Sequence, residues 1–462
     1  MSRFIRPLGA RIEKFLESAN LETKPYQVDG IKWCVKRECA GLGQGKGEGE
    51  GVLGGGVLGG GVLGGGVLGG IVADEMGLGK TILMIGLMAV NKKPSTLIVL
   101  PPILISQWSD QIYKMTGHRA LIYHGQNKKM ITLASLNESR VVLTSYNAVA
   151  INKKHTFATT LLHSVLWSRI IFDEAHHLRN KNTSVFNGAS MLNSSVRWMV
   201  TGTPVQNRMK DFYNLCTILK LEPAFYRDPS NYASFMIKRS KISCERLGEE
   251  EIGLVSQASA VSWATKEEEE LSLSVHENLN NAASDKLQWF LKARQVCVLP
   301  QLVDSRVMST SKLDYVCDFI LARKNDGNGK LVFCSFRKEI DWIYQKLVEG
   351  GVGSVVILDG RVSPKHRSHI LTSKNDVMIV QINTGCEGLN LQEHYSEVYF
   401  VSPHWNPSVE DQAVARCHRF GQTKCVNVHR FHMSQDESMD QFIATLQGKK
   451  RMLYNLSTFG KG

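Results

Sequence analysis

Short β-rich runs that stay apolar from end to end constrain this chain more than any other feature. "STLIVLPP" (95–102), "RVVLTSY" (140–146), "RIIFDEAH" (169–176) and "RWMVTGTP" (197–204) form one series. "LVFCSF" (331–336), "SVVILDG" (354–360), "DVMIVQI" (376–382), "EVYFVSP" (397–403) and "VNVHRF" (426–431) form a second. The first series does not alternate apolar with polar residues, so neither face of its strands is meant for water; that is the pattern of parallel sheets covered by helices on both sides. The stretch between the series, roughly 222–310, has no such runs and carries "KEEEE" (266–270), which suits a solvated helix face. The expected fold is α/β, two parallel-sheet lobes joined by a largely helical segment. The expected boundaries are 1–221 for the first lobe, 222–310 for the segment and 311–462 for the second lobe. A chain of 462 residues, about three times the common domain size, accommodates this division.

In such sheets function gathers at the C-terminal ends of the strands. "IVADEMGLGKT" (71–81) ends in a lysine and a hydroxyl preceded by glycines. A phosphate-binding loop turns successive N–H groups toward phosphates, its lysine reaches the outer phosphates, and the following hydroxyl ligates Mg²⁺. Lys80 and Thr81 take those places, with Gly77 and Gly79 inside the cradle. The general pattern has glycine six residues before the lysine, where this chain has Asp74. The apolar, proline-free "TILMIGLMAV" that follows can form the helix whose N-terminus supports an anion. Asp74, Glu75, Met76, Gly77, Leu78, Gly79, Lys80 and Thr81 are therefore the candidate nucleotide cradle.

Upstream, "GVLGG" recurs four times without interruption from Gly51 to Gly70. A period of five is too short for a solenoid unit, and so much glycine makes ordering costly in backbone entropy. The tract 41–70 is read as a flexible insert, an expansion of one native "GG", that contributes nothing to phosphate binding.

The third run ends in Asp173 and Glu174. An acid at a strand end near a phosphate loop can hold Mg²⁺, and its neighbour can orient and deprotonate an attacking water. His176 and His177 follow without further metal-ligand spacing. In the second series, "WNPSVEDQAVARCHRFGQ" (405–422) reads as a helix capped by Asn406, begun by Pro407 and ended by Gly421. On one helix, Gln412, Arg416 and Arg419 fall at i, i+4 and i+7 and share a face. Two arginines there suit a γ-phosphate.

Together these segments resemble the Swi/Snf-type ATPases of helicase superfamily 2. "KPYQVDGIKW" (24–33) resembles the adenine-reading segment, with Gln27 in the reading position. "IVLPPILISQW" (98–108), "VLTSYNAV" (142–149), "DEAHHLRN" (173–180) and "VTGTPVQNRMKDFYNL" (200–215) follow in family order, and Asp74 is the family's usual residue in the loop. "FMIKRSK" (235–241) and "LKARQVCVLPQL" (291–302) resemble the lobe junction. "KLVFCSFRKEIDWI" (330–343), "ILDGRVSPKHR" (357–367), "INTGCEGLNLQ" (382–392) and the arginine-bearing helix complete the set. The phrasing of the last two looks most like compact members from large DNA viruses and their cellular relatives. Cys386, Glu387 and Phe420 depart from the common pattern.

The resemblance implies two RecA-like lobes, ATP and Mg²⁺ between them, and double-stranded DNA as partner. Lys80, Thr81, Asp173 and Glu174 would act from lobe one, and Gln412, Arg416 and Arg419 from lobe two. Thr144, Ser145, Tyr146, Lys238 and Arg239 are its candidate DNA-backbone contacts. The implied activity is ATP-driven translocation on duplex DNA that remodels protein–DNA complexes, such as nucleosomes or transcription and repair assemblies. A strand-separating helicase and an ATP-gated DNA-binding scaffold are the alternatives.

Composition agrees. Fifty-five Lys and Arg against 43 Asp and Glu give a charge of +12, which favours a polyanionic partner. The ten cysteines include no C-x-x-C pair, as expected of reduced thiols inside a cell; the resemblance leaves a nucleus and a viral replication site both open. No RING-type Cys/His set lies between the lobes, no apolar run is long enough to span a membrane, and the N-terminus has no targeting-peptide pattern.

Overall fold

A computed structural model describes residues 7–40, 68–151, 160–206, 208–245, 253–282, 284–382, 390–419, 421–434 and 438–456. The repeats up to residue 67, Cys386, Glu387 and Phe420 lie outside these. The chain divides into two compact units, Met1–Glu250 and Glu251–Leu456.

The first unit is built on a seven-stranded parallel sheet. Its strands are β1 (Leu68–Val72), β2 (Thr96–Leu100), β3 (Leu121–Tyr123), β4 (Val141–Ser145), β6 (Arg169–Asp173), β8 (Val196–Val200) and β9 (Met236–Ile237), in the order β3-β4-β2-β6-β8-β1-β9. A small separate pair joins β5 (Leu166–Trp167) to β7 (Asn193–Ser194). Alternate residues of each main strand enter opposite cores. Ile71, Leu97, Val99, Ile170, Phe172 and Met199 pack on one face. Val72, Ile98, Leu100, Ile171, Trp198 and Val200 pack on the other. There they meet α1 (Leu8–Ser18), α2 (Pro25–Cys39), α3 (Lys80–Val90) and α4 (Ile105–Thr116). Burial on both faces is why these strands read as unbroken apolar runs. Where α2 ends, Glu38 is fully buried and accepts from Arg169 Nε (2.6 Å), Trp198 Nε1 (2.8 Å) and Asn91 Nδ2 (2.6 Å). A buried charge tolerates such a place only when its lone pairs are filled this way.

The second unit holds a six-stranded parallel sheet in the order β10-β15-β14-β11-β13-β12. Its strands are β10 (Leu254–Val261), β11 (Gly329–Cys334), β12 (Val355–Leu358), β13 (Val377–Gln381), β14 (Tyr395–Phe400) and β15 (Val426–Met433). The stretch 222–310, expected as a largely helical segment of its own, divides between the units. Its early part supplies β9 to the first sheet, and its later part supplies β10 to the second, followed by helices Lys266–Asn281 and Lys286–Val296. β10 escaped notice because it is an edge strand with most of its residues exposed, so it needs no apolar run. No disulfide joins the described cysteines. Among the described residues, no helix is long and apolar enough to cross a membrane.

Candidate functional site

Leu68–Gly70, the last three residues of the final repeat, are strand rather than loop, which corrects the reading of 41–70 as insert throughout. Leu68–Val72 pairs with Val196–Val200, and Ile71 and Val72 pair with Met236 and Ile237 on the other side. Gly69 sits at φ +116°, and a Cβ there would run into the carbonyl oxygen of Arg197; one on Gly70 would strike that of Phe235. These glycines are required by close backbone approach.

After β1 the chain turns through Gly77 (φ 92°) and Gly79 (φ 74°) into α3. Both angles lie in the left-handed region that glycine enters without strain. A Cβ on Gly79 would also lie 2.7 Å from Gln27 Nε2, so the expected adenine reader stands against the phosphate loop. Lys80 Nζ donates to the carbonyls of Asp74 (2.9 Å) and Glu75 (3.3 Å), which draws the loop around the ammonium. Thr81 follows in the first turn of α3 and is partly exposed.

The other cradle side chains point elsewhere. Asp74 is fully buried and accepts from Arg239 Nε at 2.9 Å. Glu75 accepts from the backbone N–H of Lys241 at 2.9 Å. Leu78 is buried, and a Cβ on Gly202 would lie 2.8 Å from Met76 Cγ and 3.4 Å from Lys80 Nζ. Asp74, Glu75, Met76 and Leu78 can thus offer phosphates only their backbone, while Lys80 and Thr81 offer side chains.

The acids lie across the same sheet edge. Asp173 ends β6 and is in register with Val200, which is in register with Val72 at the start of the loop. The loop Thr201–Gly202–Thr203 leaves between them. Asp173 accepts from Trp108 Nε1 (2.7 Å) and from the backbone N–H of Glu174 (3.0 Å). Burial, then the charge of Glu174, pushes its carboxyl up to about 7, against a lowering pull from the Trp108 hydrogen bond and the Lys80 charge. Such a carboxylate fits a place where a cation is to be added. Glu174 adopts φ 50°, ψ 49°, a strained left-handed conformation for a side-chain-bearing residue. Its Oε2 lies 3.3 Å from His176 Nδ1. His176 stacks on His177 (4.7 Å between centroids), and His177 packs on Tyr146 (5.1 Å).

Three of the five candidate DNA contacts, Thr144, Ser145 and Tyr146, are buried, and a fourth, Arg239, is held in an ion pair. Thr144 is buried and donates to the Tyr123 carbonyl at 2.9 Å; buried Ser145 lies 3.1 Å from His124 Nδ1. Tyr146 is buried and donates its hydroxyl proton to the Asp173 carbonyl at 2.6 Å. β4 lies between β3 and β2, so the residues that end it are enclosed. Arg239 is engaged with Asp74. Lys238 is half-buried, and burial lowers its ammonium to about 8. Of the two residues that hold Asp173, Trp108 was not among the candidates, and Tyr146 stood among them only as a DNA contact. The "QW" ending the second strand's segment was the available sign.

In the second unit, Asn406 caps its helix through a side-chain oxygen that accepts from Ser408 N at 3.2 Å, and Pro407 begins it, as expected. The helix stops at Val414, so Gln412, Arg416 and Arg419 do not share a helix face. Past it the chain tightens into turns, with Arg416 N donating to Ala413 O (3.1 Å) and Cys417 N to Val414 O (3.0 Å), while the Arg416 and Cys417 carbonyls accept from Leu391 N (3.1 Å) and Gln422 Nε2 (3.3 Å). Gln412 is buried. Arg419 donates to Asn390 Oδ1, and burial pushes its guanidinium down to about 10.

Residues 26–283 match the SNF2-related domain and residues 311–421 the helicase conserved C-terminal domain. The chain is 26% identical to a probable global transactivator of Orgyia pseudotsugata multicapsid polyhedrosis virus, over 97% of this chain and 93% of that one. It is 23% identical to an uncharacterized ATP-dependent helicase of Mycoplasma pneumoniae, over 93% of this chain but 41% of that protein. Among solved structures it is similar to the Sulfolobus solfataricus SWI2/SNF2 ATPase core in complex with dsDNA, at 22% identity, 94% coverage of this chain, 92% of that one and a TM-score of 0.40. With the domain match spanning more than half its length, the chain belongs to the SNF2-related family of helicase-like ATPases.

Proposed function

We propose that this protein hydrolyses ATP on double-stranded DNA and uses the cycle to translocate along the duplex and remodel the protein–DNA complexes it meets. The observation that carries the reading is one sheet edge bearing both Lys80, at the centre of a left-handed glycine loop, and the Asp173–Glu174 pair two strands away. Lys80 binds the outer phosphates. Glu174 orients the attacking water and accepts its proton as the new P–O bond forms. Thr81 and Asp173 would hold Mg²⁺, which when bound neutralises charge on the phosphoryl oxygens. Arg416 and Arg419 are the candidates for stabilising transition-state charge on the γ-phosphoryl group.

The basic balance of +12 and pI near 9.1 supports a polyanionic partner. The viral relative's description as a global transactivator supports a role at protein–DNA complexes in transcription.

The test is ATP turnover with and without duplex DNA, in wild type, Lys80→Ala and Glu174→Gln. Duplex DNA should stimulate the wild type. Lys80→Ala should lose nucleotide binding, whereas Glu174→Gln should bind ATP without turning it over. Wild-type turnover in Glu174→Gln would overturn the assignment. Displacement of a strand from a forked duplex would favour an unwinding helicase instead.

A further inference from the structure

Asp74 stands where the general phosphate loop has glycine, and nothing in the proposed chemistry uses its carboxylate. It is fully buried beside a loop that must accept several negative charges. An uncompensated carboxylate there would both lose its solvation and repel the nucleotide. Arg239 supplies the compensation. Its Nε (2.9 Å) and backbone N–H (3.1 Å) donate to Asp74 Oδ1, and its Nη2 donates to Oδ2. Its Nη1 donates to the carbonyl of Tyr26, the residue before Gln27, and its guanidinium lies 5.5 Å from the centroid of the Tyr26 ring.

The surrounding chain is arranged to seat this arginine. Gly30 lies one turn along α2, and a Cβ there would fall 2.7 Å from Arg239 Nη2 and 2.9 Å from Nη1. The glycine of "KPYQVDGIKW" thus leaves room for the guanidinium together with Leu83, whose Cδ1 would lie 2.6 Å from that Cβ. The loop also grips the segment carrying Arg239 through its backbone: Ala73 N donates to Ile237 O (2.8 Å) and Glu75 N to Arg239 O (2.8 Å).

We infer that Arg239 is a positioning residue of the nucleotide site: it neutralises Asp74 and fixes the start of the phosphate loop against Tyr26 and Gln27. The inference rests on the proposed ATP hydrolysis. It gives "FMIKRSK" a role in nucleotide affinity, in place of the DNA contact its basic character suggested.

The experiment measures ATP KM and kcat at saturating duplex DNA, binding of a fluorescent ATP analogue, and duplex affinity. It compares full-length wild type, Arg239→Gln, Arg239→Lys, Asp74→Asn and the double variant Asp74→Asn/Arg239→Gln. Arg239→Gln should weaken nucleotide binding and raise KM by about tenfold or more, because a buried carboxylate is left uncompensated at the base of the phosphate loop. Its kcat and duplex affinity should stay within about threefold of wild type, since the guanidinium is engaged by Asp74 and Tyr26. The decisive comparison is the double variant: removing the carboxylate's charge should recover most of the lost nucleotide affinity, a coupling that a DNA contact would not show. Arg239→Lys should fall between, because an ammonium can pair with Asp74 but cannot bridge to Tyr26 as well. Duplex affinity that drops while analogue binding holds would overturn the inference, as would a double variant no better than Arg239→Gln. If Arg239→Gln fails to fold, Arg239→Lys and the double variant still decide. A wild type that binds the analogue without turnover would sink the hydrolysis reading and leave the binding comparison standing.

Discussion

The indole N–H of Trp108 donates to Asp173 Oδ2 at 2.7 Å, and both side chains are buried. This bond fixes the carboxylate rotamer and lowers an affinity for protons that burial has raised. Trp108→Phe keeps the ring's bulk and removes the donor. The lost bond to a charged group amounts to about 1.5–3 kcal/mol. Turnover at limiting Mg²⁺ should fall about 10- to 100-fold, with smaller losses at saturating Mg²⁺. A Mg²⁺ titration checks this; an unchanged Mg²⁺ requirement would show that Asp173 does not depend on the indole.

Arg419 lies beyond its helix, held by Asn390 and largely desolvated. A cation that acts on transition-state charge lowers the barrier more than it strengthens ground-state binding. Arg419→Ala should keep ATP and duplex affinity within a few-fold while losing ~10³ in turnover. All three are to be measured on one preparation. Near-normal turnover, or collapse of duplex affinity, would remove Arg419 from the phosphate chemistry.

Deleting residues 51–65 keeps one repeat and all of β1. ATPase activity should stay the same or rise. Gly69→Ala should do the opposite, since its φ of +116° and the Arg197 carbonyl leave no room for a methyl group. Destabilisation of at least about 3 kcal/mol is expected in denaturant titration, from strain and collision together. Loss of nucleotide binding in the deletion would assign the repeats to the site after all.

Glu339 caps its own helix by accepting from Ser335 N and Phe336 N, each at 2.8 Å, while burial pushes its carboxyl up to about 6. With the native pKa above the unfolded one, the folded state binds the proton more tightly. Stability therefore falls as pH rises through about 4.5 to 6 and stays lower above. Glu339→Gln retains an acceptor and has no charge to bury. It should be more stable than wild type by about 2 kcal/mol at pH 8, with less than half of that left at pH 5 and the difference vanishing near pH 4. Thermal melts of both proteins at each pH test the sign.

The central strands of both sheets were legible because two-sided burial writes itself as an unbroken apolar run, as in "TLIVL" and "RIIFD". β10 was not, since an exposed edge imposes no such pattern, and β1 was hidden by its own glycines. The residue types of the phosphate loop and the acidic pair were readable because the chemistry demands them. The direction a side chain takes was not. Thr144 and Arg239 look like surface groups in sequence, and only their neighbours across the sheet show that they are enclosed. Arg416 and Arg419 fell outside their helix because the chain tightens after Val414 into i→i−3 turns, Arg416 N to Ala413 O and Cys417 N to Val414 O, which the residue types do not announce.

The identity of the repeats has a consequence for how β1 finds its slot. Each copy ends in Leu-Gly-Gly, the three residues that begin β1, so the tract contains decoys for its own last copy. Slipping back by one repeat would lay residues 63–67 beside β8 and put Gly66 where Ile71 belongs, while Val67 would replace Val72 without loss. The discrimination then rests on one isoleucine, about 2–3 kcal/mol of burial, together with the five extra residues that would displace Lys80 from the sheet edge. Adding copies upstream leaves that choice unchanged but multiplies the wrong answers, so refolding should slow as the repeats increase even though the finished protein is the same.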